Sequence, residues 1–401
     1  MHKEIVSQLI SFEKWKISSV ETDENAMILT VYLEPDKRYK ARCSVCGKIV
    51  NNYHSSRSIK VQDLDWSEYK VFLVVTYRRF RCRSCDSITP EEMNFVLPGH
   101  RVTIRMGKWI SKLAKENTAK TTGKLVGMSS TTVKEIDKTW LRMNLLPPNF
   151  DNLKLIGVDE FSLKKGHNYV TLVVDIENSD VLYLAEGRDQ SVLAKFYKGL
   201  NFEQAYNIQA VAMDMWKGYI IATRTNVPYA QIVFDKFHII SAFSRVIDKV
   251  RNRLFREAES KEDKQLLKGT KYLLLRNKEN LYPDQKQKLQ QLLNVNEDIY
   301  TVCTLKEQLK SIWNVGSAEE ALYTILNWWK LAVASEIAEL KTFGKMLLRH
   351  LWQILNYYSY RISTAKLEGM INKIKLIKRR AYGYTDNEYF FLKIRQAFCT
   401  N

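Results

Sequence analysis

The chain has 401 residues, 62 of them basic and 44 acidic, so it carries a formal charge of +18 with a pI near 9.4. At roughly 150 residues per domain the length fits two or three cores, and a basic surplus of this size points to a polyanionic partner such as nucleic acid. No apolar stretch approaches the ~18–20 residues needed to cross a bilayer, and the opening MHKEIVSQLISFEKW lacks a secretory apolar core. A cytoplasmic, nucleoid-associated location is therefore expected, with the six cysteines reduced.

Four of those cysteines form two C-x2-C pairs, Cys43/Cys46 and Cys82/Cys85. Each pair can supply half of a tetrahedral thiolate site, and the intervening sequence, ending in VFLVVTYRRFRC, reads mostly as strand. The spacing predicts a zinc-ribbon-like module within residues 1–98 holding one structural Zn²⁺. Basic residues crowd both knuckles (Lys37, Arg38, Lys40, Arg42; Arg78, Arg79, Arg81, Arg83), which suits phosphate contacts. Cys303 and Cys399 are isolated and are expected to be dispensable.

Over residues 99–148 the pattern turns helical. Ile104, Trp109, Ile110, Leu113 and Ala114 recur at helical spacing, and a second segment, 119–126, stops at Gly127. Ser129 and Ser130 then read as N-caps of a helix carrying Val133, Ile136 and Trp140 on one face. Helix, glycine turn and capped helix resemble a helix-turn-helix, with Ser130, Thr131, Thr132 and Lys134 as candidate DNA contacts. Pro147-Pro148 marks the following linker.

Three apolar runs follow, Leu153–Val158, Tyr169–Val174 and Val181–Leu184, separated by the turn residues Lys165-Gly166-His167 and Asn178-Ser179-Asp180. They predict three antiparallel strands, the first ending in Asp159. After a short helix, Ile208 to Asp214 predicts a fourth strand that also ends in an acid, and Tyr229 to Ile240 a fifth, with Asp235 and His238 near its end. That is the element order of a ribonuclease-H-like fold, in which strands one and four lie side by side and parallel. Asp159 and Asp214 would then meet, and two crowded carboxylates call for hard-oxygen ligation of Mg²⁺ or Mn²⁺.

Residues 149–240 are thus expected to be the first part of a catalytic domain. Residues 241–362 read as an all-helical insertion, with capping boxes at Thr304/Glu307 and Ser317/Glu320 and Pro283 in a first turn. Residues 363–401 would complete the catalytic domain. There Glu368, Asn372, Lys375 and Arg379 fall on one helical face, in a segment with nine basic and three acidic residues from Arg361 onward. One face would offer a metal-ligating acid followed by phosphate-binding groups, and Lys373, Lys378 and Arg380 extend the set of candidate DNA contacts.

Taken together, GVDEFS around Asp159, VAMDMWKGY around Asp214, FDKFH over Asp235–His238 and LEGMINKIKLIKRRAYGY from Glu368, with the knuckles and helix-turn-helix ahead of them, resemble the ISL-three family of DDE insertion-sequence transposases. The resemblance implies a catalytic triad of Asp159, Asp214 and Glu368, with Asp235 and His238 in support. It also implies two Mg²⁺ (or Mn²⁺) ions, double-stranded DNA as partner and substrate, and at least a homodimer to pair two transposon ends. Terminal-repeat binding, two-metal strand cleavage and strand transfer are the expected activity. A nuclease or resolvase of the same fold would keep the acids without needing the accessory modules, and a transposase-derived DNA-binding regulator would keep the modules without needing the acids.

Overall fold

A computed structural model describes residues 6, 11–164, 166, 168–276, 278–362 and 365–398. Lys165 and His167 of the expected turn, Ser363, Thr364 and Cys399 lie outside the described residues. The chain divides into two compact units, Met1–Leu146 with Leu376–Cys399 and, between them, Pro147–Lys375. Among the described residues no helix is long and apolar enough to cross a membrane.

In the first unit, strands β1 (Trp15–Asp23), β2 (Ile28–Pro35), β3 (Tyr53–Gln62), β4 (Lys70–Cys82) and β5 (Ser87–Pro90) make one sheet. Its order is β1-β2-β4-β3, with β5 paired to β4. Alternation selects the buried face: Leu29, Val31 and Leu33 from β2 and Val71, Leu73 and Val75 from β4 pack with Phe95, the period-2 pattern of a strand with one covered side. Helices α1 (Ile104–Glu116), α2 (Ala119–Val126) and α3 (Ser130–Asn144) follow. Thr103, Thr118 and Ser129 cap them, each side-chain oxygen accepting a backbone N–H of the first turn. Ser129 is thus the cap of α3, and Ser130 is its first helical residue. Between α2 and α3 the chain turns at Gly127, in the left-handed region at φ 70°. A Cβ on Gly123 would lie 2.5 Å from the Met128 carbonyl oxygen, so the turn closes only over glycine. Asp63, fully buried, ties sheet to helix by accepting from the Thr103 hydroxyl and the Arg105 guanidinium.

The second unit is built on β6 (Leu155–Ser162), β7 (Tyr169–Asp175) and β8 (Asp180–Glu186), followed by α4 (Gln190–Lys198), α5 (Phe202–Asn207), β9 (Ala210–Met213), α6 (Lys217–Asn226) and β10 (Gln231–Phe234). The sheet order is β10-β9-β6-β7-β8. Strands β6 to β8 pair antiparallel, whereas β9 runs parallel to β6, and β10 parallel to β9. Three sequence expectations need adjustment. Strand β6 does not end at Asp159 but runs on to Ser162, because Glu160, Phe161 and Ser162 keep pairing with Thr171, Val170 and Tyr169. The fifth strand stops at Phe234. Asp235 accepts from the Phe237 N–H and so starts a helix, which puts His238 on that helix rather than in the sheet. Helix α6, between β9 and β10, was not expected.

From Lys236 to Tyr360 the described secondary structure is wholly helical: α7 (Lys236–Glu257), α8 (Lys261–Leu267), α9 (Lys271–Leu275), α10 (Pro283–Val295), α11 (Glu297–Ser311), α12 (Ala318–Ala334), α13 (Ala338–Arg349) and α14 (Leu351–Tyr360), with one 3-10 turn. Phe243, Trp328 and Phe343 meet edge to face inside it. Ser317 caps α12 and Pro283 opens α10 as expected, but Thr304 lies in the middle of α11, so the Thr304/Glu307 box does not start a helix. Asn356 on α14 donates to the Ile232 carbonyl, covering part of the β10 edge.

Helix α15 (Ala365–Arg380) runs through the boundary at 375/376, and α16 (Asn387–Phe398) lies in the first unit. A buried polar cluster holds α16 in that unit. Asp137 on α3, fully buried, accepts from Ser111 Oγ (2.6 Å), Tyr389 OH (2.6 Å) and Lys393 Nζ (3.0 Å), and Lys393 also donates to the Ala114 carbonyl. These are long-range partners for one carboxylate, and they fix α16 against α1 and α3. Replacing Asp137 with Ala would leave the Lys393 charge buried without its counter-ion, so the expected cost is about 3–5 kcal/mol, measured by denaturant unfolding of the full chain. Lys393→Met should be costly too, because it strands the buried Asp137 carboxylate with only the Ser111 and Tyr389 hydroxyls to hold it.

Candidate active site and metal centre

The parallel register of β6, β9 and β10 positions the acids. Leu155, Ile156 and Gly157 pair with Ala210, Val211 and Ala212, so two steps further Asp159 comes level with Asp214. On the other side Phe234 pairs with Met213, and the Asp235 N–H donates to the Met213 carbonyl, which brings Asp235 level with Asp214. Three aspartates thus stand in a row across three adjacent strands. His238, one helical turn into α7, has its Nε2 3.7 Å from Asp235 Oδ2. All three carboxylates are held by local amides: Asp159 accepts from the Glu160 N–H (2.7 Å), Asp214 from the Trp216 N–H (2.9 Å) and Asp235 from the Phe237 N–H (2.7 Å).

The electrostatics follow from crowding and burial. Burial pushes the Asp159 carboxyl up to about 6; the Glu160 amide and His238 oppose the rise, and the Asp214 and Asp235 charges add to it. Burial also raises Asp214, against the Trp216 amide, His238 and Arg188. Glu160, next in the chain, is pushed up to about 7 by burial and by the charges of Asp214 and Asp159, with Arg188 opposing. One of its oxygens, Oε2, is buried without a hydrogen-bond partner. The site therefore stores negative charge it cannot neutralise by itself, which is the environment a cation relieves.

Glu368 is placed differently. It is exposed near the start of α15, as are Asn372, Lys375 and Arg379, so the expected common face is formed. Gly157 and Asp159 share one face of β6, and a Cβ on Gly157 would lie 3.2 Å from the Leu367 side chain. Leu367 therefore packs on the Asp159 face. Lys366 fastens the same turn by donating to the Ile176 and Glu177 carbonyls. Among the described residues, however, the only group of three or more Cys, His, Asp and Glu ligand atoms lying within 4.8 Å of one another is the cysteine cluster. Asp159, Asp214, Asp235 and His238 lie near enough for their charges to act on one another, while Glu368 is exposed at the head of its helix.

That cluster is Cys43, Cys46, Cys82 and Cys85. Sγ separations are 3.7 Å for Cys43/Cys85, 3.6 Å for Cys46/Cys82 and 4.0 Å for Cys46/Cys85. A tetrahedron with Zn–S bonds of about 2.3 Å has edges of about 3.8 Å, so the four sulfurs fit zinc. Both knuckles turn the same way, the residue after each second cysteine being left-handed: Gly47 at φ 69° and Asp86 at φ 45°. The Thr89 hydroxyl, 3.1 Å away, and the Cys46 amide lower the Cys43 thiol to about 6. Cys82 is lowered by the amides of Cys85 and Ser84. Only Ala41, Val50 and Phe80 pack with the buried Cys43 and Cys82, a core too small to hold without a cross-link.

The expected DNA contacts divide into two sets. Ser130, Thr131 and Thr132 are exposed at the start of α3. Lys134, by contrast, pairs with Asp386 (2.9 Å), and Lys138 and Arg142 on the same row of α3 pair with Asp386 and Glu388. On α15, Asn372, Lys373, Lys375, Arg379 and Arg380 are exposed and Lys378 is half-buried; Arg380 donates to the Lys115 carbonyl. Sequence reasoning missed Glu160, Arg188 and Trp216. Glu160 and Trp216 lie within the quoted motifs GVDEFS and VAMDMWKGY, so their nearness to the acids was the available signal, whereas nothing local marks Arg188.

Comparison with known proteins identifies the family. A DDE family model of ISL3 type, described as transposase, matches residues 156–394. A second model, the zinc-finger of transposase IS204/IS1001/IS1096/IS1165, matches residues 40–85, a span that holds all four cysteines. The chain is 34% identical over 404 residues to the transposase for insertion sequence element IS1001 of Bordetella parapertussis, covering 100% of this chain and 99% of that one. It is 25% identical over 380 residues to the transposase for IS1557 of Mycobacterium tuberculosis, covering 88% and 84%. The class is thus that of transposases, enzymes that cleave and transfer DNA. Within it, the chain belongs to the ISL3 family of DDE insertion-sequence transposases, as the sequence motifs led one to expect.

Two measurements check the site. Purified protein kept reduced should contain about one zinc per chain, and Cys82→Ser should lose it; metal analysis reads both. The second check concerns Asp159, whose carboxyl rises from an ordinary 3.8 to about 6 on folding. Between those values the folded state binds more protons than the unfolded one, so this carboxyl increasingly opposes folding as pH rises, and does so fully above the upper value. In buffer without added magnesium, Asp159→Asn should therefore gain stability over the parent between about pH 4.5 and about pH 7.5, reaching roughly 3 kcal/mol, as read by unfolding midpoints. A gap independent of pH would count against the buried, crowded carboxyl.

Proposed function

We propose that this protein recognises the terminal inverted repeats of its insertion sequence and carries out DNA strand cleavage and strand transfer at one site of Asp159, Asp214 and Glu368. The observation that carries the reading is the register in which Asp159 and Asp214, far apart in sequence, come level on adjacent parallel strands. Membership of the DDE family supports the triad. The strand order and directions of the second unit support a ribonuclease-H-like catalytic domain, and the run of helices from Lys236 to Tyr360 supports an all-helical insertion within it. Double-stranded DNA is the partner, with at least a homodimer needed to pair two ends.

The donor set fits a hard divalent cation, Mg²⁺ or Mn²⁺: aspartate oxygens raised by burial, beside a buried Glu160 oxygen that lacks a partner. Asp159 and Asp214 would hold it, with Glu368 completing the set from α15. Bound there, such ions activate the attacking oxygen and stabilise the leaving one in an in-line phosphoryl transfer. The chain's own residues orient and exclude. The Glu160 and Trp216 amides fix two carboxylates in place, and Asp235 caps α7 so that His238 faces the acids. The start of α3, with Ser130, Thr131 and Thr132, would meet bases, and Lys375 and Arg379 would meet phosphates.

Asp214→Asn nearly preserves volume while removing a ligand charge. It should keep the fold and end binding while lowering cleavage and joining roughly a hundredfold or more, the effect of losing several kcal/mol of transition-state stabilisation. Glu368→Gln should behave alike. The assay is cleavage and joining of a labelled transposon-end duplex in Mg²⁺. Undiminished cutting by Asp214→Asn would refute the assignment, and cutting with no joining by the parent protein would point to a nuclease instead.

A further inference from the structure

Beside the acids stands a column of three side chains from three separate segments. The Arg188 guanidinium lies between two aromatic faces, 4.3 Å from the centre of the Tyr169 ring and 4.5 Å from that of Trp216. Trp216 is tied by its indole N–H to the Arg188 carbonyl (3.0 Å), and its backbone N–H holds Asp214. Gly218 makes room for this pose, since a Cβ there would lie 2.9 Å from Trp216 Nε1. At the other end Tyr169 sits on β7 two residues from Thr171, the partner of Glu160.

Two properties of the column are unexplained by packing. The two rings hold the Arg188 guanidinium by cation–π contact, yet its side chain makes no hydrogen bond with any described residue. The nearest carboxylate oxygen, Glu160 Oε1, is 3.8 Å away, beyond hydrogen-bond reach. A guanidinium with its donors unspent, pre-oriented between two rings, suits a phosphate. Trp216, for its part, is 39% exposed although it follows Asp214 by only two residues. An exposed indole beside a phosphate-binding group is what a nucleic-acid base stacks on.

We infer that Tyr169, Arg188 and Trp216 form a subsite for single-stranded DNA next to the acids, in which Arg188 takes a backbone phosphate and Trp216 stacks a neighbouring base. The inference deepens the transposase reading and rests on it: strands must separate at a cleaved end, and an unpaired nucleotide is then available to the column. Arg188 and Trp216 are positioning residues here, acting on substrate flanking the reacting phosphate.

The test uses the full chain in buffer without added magnesium, so that binding is read without cutting. Two fluorescent probes are compared by anisotropy: oligothymidylate of about twelve nucleotides, within the usual span of a single-strand site, and an abasic chain of the same length. The parent protein should prefer the thymidylate roughly tenfold, as expected for one stacked base. Trp216→Leu should bind both probes alike, and Trp216→Phe should retain most of the preference. Arg188→Gln should weaken both and reduce the salt slope by roughly 0.7. A full preference in Trp216→Leu, or none in the parent, overturns the base-stacking role. If Trp216→Leu does not fold, Arg188→Gln, which leaves the indole in place, decides the matter by itself: an unchanged salt slope overturns the subsite. Loss of cleavage in Asp214→Asn tests the transposase reading separately, since that assay reads chemistry and this one reads binding.

Discussion

The second unit depends on one backbone arrangement, the parallel pairing of β6 with β9 in the middle of a sheet whose other half is antiparallel. Antiparallel neighbours can be joined by a tight turn, but a parallel neighbour requires a crossover, and here α4 and α5 supply it. The crossover puts the carboxyl ends of β6, β9 and β10 on one side, where the next residue on each of the last two strands is an aspartate. Ligand sites in sheets with parallel strands gather beyond such ends. A single slip of register would reverse the facing of every side chain on a strand and would carry the acid that follows each apolar run of β6 and β9 to the opposite side.

Placing like charges together in a half-buried setting works against folding, and the upward shifts of Asp159, Glu160 and Asp214 register the conflict. The fold tolerates it because the rest of the unit is strongly apolar, with Ile156, Val158, Val211 and Met213 leading into a core that extends through the helices. The cysteine module solves the opposite problem. Its private core is only a few side chains, and two chain-distant knuckles are drawn together by sulfur ligands in place of hydrophobic area. One metal site would thus stand in for a core, while the other is crowded by residues that a core holds in place.

Much of this was legible in the sequence, for identifiable reasons. The knuckles have fixed spacing, the cap Ser129 sits just ahead of helical periodicity, and the Asp159 and Asp214 strands are apolar runs meeting an acid. What was missed depends on tertiary context. Asp235 follows an apolar run and reads as strand until its side chain is seen to cap α7, and α6 was hidden because KGYIIATRTN has little amphipathic contrast. Thr304 with Glu307 matches a capping box by spacing alone, yet hydrophobic residues on either side keep α11 helical through it. Arg188 could not be found from its neighbours in sequence, because the rings that hold it come from β7 and from the segment after β9.

Charge is the last point at which sequence and structure part. Lys134 was expected to contact DNA, yet it and Lys138 and Arg142, spaced four apart along one row of α3, are matched by Asp386 and Glu388. Burial works to raise Asp386, but Lys138, the Tyr389 amide and Lys134 hold it well below the ordinary carboxylate range. The acids are anchored, since Tyr389 and Lys393 bind the buried Asp137 just beyond them. A lysine already paired with a fixed carboxylate has less to gain from a phosphate, because the new contact must displace the old one. On the proposed reading, recognition by this helix would fall to its amino-terminal turn, where Ser130, Thr131 and Thr132 are exposed and carry no charge. On that reading the electrostatic attraction would come from exposed groups elsewhere in the basic surplus, such as Lys375, Arg379, Arg81 and Arg83, since Arg38 and Arg78 beside the knuckles are themselves paired with Asp36 and Glu91.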